Sequence, residues 1–365
     1  MRLQFLDGIR GHLLLGMMIV HLQTSGNQSF LKFLHHSTII HIVNAGFFIP
    51  VSGFLLGFIY FERLNSANER WKFLGKRLRV IYKYFLISSL PFLMLSIASR
   101  WASDSLTLAS IFKEIGLTLI LENSGGFADI LVVYFYCFLI IALLPFLLEV
   151  ISMGAFLSVS GIIYLLSQAS YQGGFLGISA AHVAFDISAW QFLFMLAFAA
   201  GAHRKHLLRK IQNFTEQEFI RTLTAAIIVY AMTLTVRDFI TPFEPERGVN
   251  LGWPRLHLHP IFLVRVLAMI VVLSLVILHP SKIVRTPQRL LTTYFSWPVL
   301  ENIGKYGIQM FTLHVYLMIA FLEIQPILST LQQGILAVAI LFAFAFTPTL
   351  YHRLSSRLRS SRLTD

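Results

Sequence analysis

Long apolar segments separated by short polar ones run through almost the whole chain. A helix needs about 20 predominantly apolar residues to cross a bilayer. Ten segments meet this requirement, so we predict an all-α, polytopic integral membrane protein with about ten transmembrane helices. The predicted spans are residues 5–23, 39–61, 80–98, 127–149, 151–168, 185–203, 220–236, 260–279, 302–322 and 327–350. No long polar linker divides them, so we predict a single membrane domain over residues 1–365.

One further apolar segment, residues 106–121, carries Lys113 and Glu114 within its pattern. These charges disfavour a span and are typical of an amphipathic helix in the membrane interface. The composition agrees with a membrane protein, because 56% of the residues are hydrophobic and only 13% are charged. Soluble domains contain about 25% charged residues.

The positive charges are distributed unevenly between the two sides of the predicted topology. With the N-terminus inside, 22 of the 29 Lys and Arg residues lie in cytoplasmic segments and seven in outer ones. Cytoplasmic loops of membrane proteins carry such an excess, so we predict that both termini are cytoplasmic. The same rule explains the net charge of +12 without a nucleic-acid partner. Cys137 is the only cysteine, which excludes an intramolecular disulfide and a thiolate metal cluster.

The first predicted span carries two ionisable residues, Arg10 and His21. Their spacing is close to three helical turns, so the side chains share a face about 16 Å apart along the axis. Ionisable groups inside a membrane are costly and tend to mark function, and an imidazole can accept a proton from a hydroxyl near neutral pH. We interpret Arg10 as the anchor for the anionic end of a long ligand and His21 as the candidate catalytic residue. Helix–helix packing of His21 is the alternative.

A cluster of cations, Lys76, Arg77 and Arg79, precedes the third span. Lys76 and Arg79 lie three residues apart and share a helix face, and guanidinium groups bind phosphate bidentately. Together with Arg10 they would form a cytoplasmic site for a multiply phosphorylated ligand. An anchor for lipid phosphates is the simpler interpretation of such a cluster.

Three residues in later spans are further candidates. His314 lies near the middle of the ninth span. Three interpretations are open: a second polar group in the site, a partner of His21, or a residue that only packs. Gln191 lies within the sixth span and needs a hydrogen-bonding partner there. Its neighbour Trp190 has a position typical of an anchor at the membrane interface.

The sequence shows no metal-ligand spacing, no Gly-rich nucleotide loop and no Ser-His-Asp pattern. If the protein is an enzyme, we therefore expect a diffusible activated donor, a single base and no metal.

Taken in order, these motifs resemble the membrane acyltransferase family 3. Leu6-Asp7-Gly8-Ile9-Arg10-Gly11 with His21 matches the Leu-Asp-Gly-x-Arg-Gly opening and the Arg-x10-His spacing of that family. Lys76-x-x-Arg79 occupies the place of Arg-x-x-Arg, with lysine replacing the first arginine. Residues 303–314 resemble the late Leu-Gly-x-x-Ser-Tyr-x-Leu-Tyr-Leu-Leu-His motif, with Gly307-Ile308 replacing Ser-Tyr. Residues 48–57 and 189–194 are most similar to the branch that succinylates osmoregulated periplasmic glucans.

The resemblance implies transfer of an acyl group from cytoplasmic acyl-CoA, a co-substrate, to a hydroxyl of a glycan at the outer face of a bacterial inner membrane. The thioester would reach the depth of His21, which would act as general base or carry the acyl group transiently. The residues that would hold the coenzyme phosphates are Arg10, Lys76, Arg77 and Arg79. The candidates for contacting or supporting the substrate are Asp7, Trp190, Gln191 and His314.

Two questions stay open at this point. The acyl group is succinyl or acetyl, because no cation at the depth of His21 is evident for a succinyl carboxylate. The rival hypothesis is a transporter or flippase for a glycan or lipid-linked intermediate. Against it, the sequence shows no inverted pair of Gly/Pro-broken helices, and the cations gather at the inner mouth instead of spacing through the membrane.

Overall fold

The computed structural model describes residues 4–36, 40–103, 107–125, 127–147, 151–173, 185–240 and 257–361. Every regular element in these ranges is a helix, which confirms the all-helical fold class. The chain divides into two compact units. Unit 1 comprises Met1–Asn44 with Lys282–Asp365, and unit 2 comprises Ala45–Ser281. That the chain forms a single membrane domain stays a prediction.

The α-helices are numbered along the described residues. They are α1 (Gln4–Thr24), α2 (Asn44–Glu62), α3 (Ala67–Ala102), α4 (Leu108–Leu119), α5 (Asp129–Leu147), α6 (Met153–Gly173), α7 (Ile187–Ala202), α8 (Arg204–Gln212), α9 (Glu216–Ile240), α10 (Pro260–Leu278), α11 (Arg285–Phe295), α12 (Pro298–Lys305), α13 (Gly307–Ile324) and α14 (Thr330–Ser361). Short 3-10 helices lie at Ser29–Leu34 and Gln325–Ile327. Unit 1 holds α1 and α11 to α14, and unit 2 holds α2 to α10 apart from Asn44.

The structure supports a membrane protein. Seven of the described helices are long and apolar enough to cross a membrane, from Gln4–Thr24 to Thr330–Tyr351. Three shorter apolar helices, Asp129–Leu144, Met153–Ala169 and Ile187–Ala202, correspond to three more of the predicted spans. The total of ten spans and the cytoplasmic location of both termini stay predictions.

Two predicted spans differ from the helices that contain them. The span at 80–98 is the second half of α3, a helix of 36 residues that begins after its N-cap, Ser66. Hydropathy did not reveal the first half, because Lys, Arg and Glu are polar yet form helices well. The span at 302–322 is not one helix, since Tyr306 separates α12 from α13. The segment at 106–121 is helical as α4, and its location in the membrane interface stays a prediction.

Glycines allow α1 to cross α12 at close range in unit 1. A Cβ on Gly11 would overlap the backbone carbonyl of Leu300, lying 2.7 Å from its carbon. A Cβ on Gly304 would overlap the backbone carbonyl oxygen of Asp7. Carbon atoms normally approach to about 3.5–4.0 Å, so only residues without a Cβ fit here. Glycines of the first and the late sequence motifs therefore serve the same helix crossing.

A comparable crossing joins α2 and α7 in unit 2. Gly53 faces the backbone of Phe194, and Gly57 faces the backbone of Phe198. The two stretches that resemble the glucan-succinylating branch, residues 48–57 and 189–194, therefore pack against each other.

Candidate active site

His21 and His314 form a hydrogen-bonded pair inside unit 1. His21 Nδ1 lies 2.8 Å from His314 Nε2, and the ring centroids are 4.7 Å apart. His314 is completely buried, and the pair joins α1 to α13. Of the alternatives that the sequence left open for His314, partnership with His21 is the one that this geometry supports.

A neutral imidazole carries one N–H and one lone pair, so one ring of the pair donates in this hydrogen bond and the other accepts. When His21 donates from Nδ1 to His314 Nε2, its own Nε2 keeps the lone pair. That is the form an imidazole needs to accept a proton.

Arg10 lies at the break between α12 and α13. A Cβ on Gly307, the first residue of α13, would lie 2.7 Å from Arg10 Nη2. Helix N-termini carry N–H groups without intrahelical partners and a partial positive charge. Lys305, the last residue of α12, adds a second cation just before the break. Two cations and a helix N-terminus therefore favour the binding of an anionic group at the break between α12 and α13.

Helices α1 and α13 therefore meet at both ends of the line that the sequence predicts from Arg10 to His21. Arg10 and His21 lie on α1, and α13 approaches α1 at both positions, through Gly307 and His314. Asp7 is largely buried, and its Oδ1 lies 3.7 Å from Arg10 Nη1. A carboxylate at that distance orients the guanidinium, which fits a supporting role for Asp7.

The three cations Lys76, Arg77 and Arg79 are exposed on α3 in unit 2. The Arg77 guanidinium lies 5.3 Å from the ring centroid of Phe73. Arg79 Nε donates to the backbone carbonyl of Gly75 at 3.2 Å. Their binding of coenzyme phosphates stays a prediction.

Trp190 and Gln191 lie in the core of unit 2. Gln191 accepts a hydrogen bond from Ser160 Oγ at 2.6 Å and donates to the Ser160 carbonyl at 2.9 Å, so it joins α6 to α7. Trp190 is fully buried and contacts the rings of Phe185 and Phe262. The interpretation of Trp190 as an interface anchor is therefore wrong, because the neighbouring aromatic rings enclose it. That Trp190 and Gln191 contact or support the substrate stays a prediction.

A second polar cluster, around His12, lies in unit 1 and was not predicted from the sequence. His12 Nδ1 lies 2.9 Å from Tyr294 Oη, and its Nε2 lies 3.1 Å from His36 Nδ1. The rings of His35 and His36 are 4.4 Å apart, and His35 hydrogen-bonds the side-chain amide of Asn44 at 3.1 Å. Two features of the sequence could have revealed this cluster. His12 is a further ionisable residue within the first span, and His35 and His36 are consecutive.

Burial determines the charge of two of these histidines. It lowers the pKa of His35 to about 4 and that of His36 to about 3, and the nearby His12 opposes a further positive charge on either. Both imidazoles are therefore neutral at pH 7. Neutral hydrogen bonds thus hold the segment that follows α1 against α1 itself.

Comparison with known proteins adds one finding. No curated protein and no solved structure matches the chain. A family profile described as OpgC protein matches residues 2–353, nearly the whole chain. This chain therefore belongs to the OpgC protein family, which is consistent with the glucan-succinylating branch of the acyltransferases that its motifs resemble.

Proposed function

We propose that this protein is a membrane O-acyltransferase that uses acyl-CoA on the cytoplasmic side of a bacterial inner membrane. The acceptor is a hydroxyl of a periplasmic or cell-surface glycan. Membership of the OpgC protein family indicates a glucan-modifying, acyltransferase-like function. The observation that carries the finer proposal is the His21–His314 hydrogen bond, on the same helix pair that holds Arg10.

The chemistry assigned to His21 is general base catalysis. Its Nε2 accepts the proton of the sugar hydroxyl while the hydroxyl oxygen attacks the thioester carbonyl. The carbon–sulfur bond then breaks, and the leaving thiolate takes the proton from His21 to give coenzyme A. His314 accepts the Nδ1 proton of His21 in a hydrogen bond, which orients the ring and stabilises the imidazolium that forms. Attack by His21 itself, with a transient acyl-imidazole, uses the same nitrogen.

The anionic end of the donor is assigned to the cations. Arg10 at the N-terminus of α13 would bind one phosphate of the coenzyme. Lys76, Arg77 and Arg79 would bind the others. The acyl group is succinyl or acetyl, and the donor preference of the purified protein will decide between them.

The test is acyl transfer by the purified protein in nanodiscs. Labelled succinyl-CoA or acetyl-CoA is the donor, and osmoregulated periplasmic glucan stripped of its substituents by alkali is the acceptor. We expect His21→Ala to abolish transfer and His314→Gln to lower kcat about 10²-fold or more, with the thermal shift caused by acyl-CoA retained in both. Arg10→Ala should lose that thermal shift, because a ligand stabilises only a protein that binds it.

The matched control is His206→Ala, since His206 is an exposed histidine on α8, and it should transfer at the wild-type rate. Full activity of His21→Ala would refute the catalytic assignment. Equal loss of the acyl-CoA shift in all three site variants would refute the division of roles. Glycan uptake without acyl-CoA would support the transporter instead.

A further inference from the structure

A second polar site lies in unit 2, where the C-terminal end of α3 meets α4. A cavity of about 300 Å³ opens there. The residues that line it are Arg100, Ser110, Lys113, Glu114, Leu117 and Asn123. None of them belongs to the candidate active site, and the predicted topology places Arg100 and Lys113 on the outer side of the membrane.

The cavity is built around a buried carboxylate. Only 9% of Glu114 is exposed, and its Oε1 forms an ion pair with Arg100 Nη2 at 2.6 Å. Its other carboxylate oxygen, Oε2, is buried and has no hydrogen-bond partner among the residues that the structure describes. Burying an oxygen in this state is unfavourable unless a donor reaches it.

The lining selects for a particular kind of ligand. Glu114 Oε2 only accepts, so the ligand must supply an N–H or O–H group. Lys113 donates, and the Asn123 amide can do either, so the same ligand must also accept. Phosphate diesters and carboxylates have no hydrogen to donate to Glu114. A sugar ring carries several hydroxyls, each of which donates and accepts, and therefore meets both requirements.

The walls are fixed before any ligand binds. Thr107 and Ser110 form a reciprocal capping box at the start of α4, and Thr118 Oγ1 donates to the Glu114 carbonyl at 2.9 Å. Tyr82 Oη donates to the carbonyl of Leu119 at 2.9 Å, which fastens the far end of α4 to α3. A preformed cavity of this kind loses little entropy when it binds.

We propose that this cavity is a binding subsite for a sugar residue of the glycan acceptor. The proposal rests on the proposed function, because the acyltransferase needs an acceptor on the outer side. The subsite holds the acceptor chain away from the reacting hydroxyl, so Glu114, Lys113 and Asn123 are binding residues and take no part in the chemistry.

The test measures binding of alkali-treated osmoregulated periplasmic glucan by calorimetry, with the protein in nanodiscs and no acyl donor present. We expect Glu114→Gln and Asn123→Ala to weaken glucan binding at least tenfold. Both should raise the KM for glucan and leave the KM for acyl-CoA within twofold. Asn123→Ala and Lys113→Ala leave the Arg100–Glu114 ion pair intact, so they report on the cavity even if Glu114→Gln folds poorly. Lys32→Ala, an exposed lysine elsewhere on the predicted outer side, should bind glucan normally.

Three results would overturn the proposal. Unchanged glucan binding in all three cavity variants would exclude the subsite. An equal rise of both KM values together with lower thermal stability would leave the ion pair a purely structural role. Glucan binding that is lost when the protein is embedded in phosphatidylglycerol nanodiscs, but kept in phosphatidylcholine ones, would assign the cavity to a lipid headgroup. If the wild-type protein transfers no acyl group but the cavity variants still lose glucan binding, the proposed function is refuted and the subsite stands.

Discussion

The close crossing of α1 and α12 makes a sharp prediction for Gly11→Ala. The new methyl group would lie 2.7 Å from the carbonyl carbon of Leu300 and 3.0 Å from its Cα. Both atoms belong to backbone and cannot move aside as a side chain would. Normal carbon–carbon contact begins near 3.5 Å, so the two helices must separate by about 1 Å.

That separation has an energetic cost and a functional one. Overpacking of this kind destabilises by about 1–3 kcal/mol. Arg10 precedes the substituted residue, and His21 lies on the same helix, so a shift of α1 moves both relative to α13. A misplacement of about 1 Å in a catalytic site can lower the rate about 10²-fold. We therefore expect a loss of transfer that exceeds what partial unfolding explains.

The assay compares transfer rate and thermal unfolding of Gly11→Ala with those of Gly154→Ala. A Cβ on Gly154 of α6 would meet only Ser152 Oγ, at 3.8 Å, so that variant should keep both properties. Gly11→Ala should unfold at a lower temperature and transfer far more slowly. Wild-type rate and stability in Gly11→Ala would refute the reasoning, because the crossing would then tolerate a Cβ.

Three further predictions concern stability and accessibility. The folded-state pKa of His35, about 4, lies below the unfolded value near 6.5, so the unfolded chain binds the extra proton first. The contribution of His35 to the free energy of unfolding is complete above pH 6.5 and falls by about 2 kcal/mol by pH 5. Unfolding measured across that pH range will detect the loss, and a free energy of unfolding that does not change with pH would contradict it. Gln191→Leu should destabilise by about 1–2 kcal/mol by removing two hydrogen bonds to Ser160, while both KM values stay unchanged; a raised glucan KM at wild-type stability would assign Gln191 to the substrate. Cys137 is fully buried, so maleimide should label the native protein at least 100-fold more slowly than the denatured one, and rapid native labelling would contradict that burial.

Local pattern was enough to predict most of the helices. Among the described residues, nine of the ten apolar segments each overlap a single α-helix, and the segment at 302–322 overlaps two. A long apolar segment that must satisfy its own backbone hydrogen bonds favours a helix. The start of α3 and the break at Tyr306 were not predicted. Hydropathy records polarity, and the polar first half of α3 is as helical as its apolar half. Gly304 and Gly307, on either side of Tyr306, belong to the late motif, and both make close contacts with α1.

The candidate site depended on contacts that spacing cannot provide. The shared face of Arg10 and His21 followed from helix periodicity, since both lie on one helix. The pairing of His21 with His314 joins residues 293 positions apart, so the sequence could offer it only as one of three alternatives. The cluster around His12 was missed for the same reason, because its partner Tyr294 comes from the other end of the chain.

The packing of α1 against α12 and α13 also constrains how the chain reaches its native state. About 270 residues separate the end of α1 from the start of α12. At a synthesis rate of about 5–20 residues per second, the ribosome needs roughly 15–55 s to deliver the partner helices. For that interval the first helix waits in the membrane with Arg10 and His21 not yet joined to α13. The candidate site is therefore among the last parts of unit 1 to assemble, and a chain interrupted before α12 carries its candidate base without the helix that would orient it.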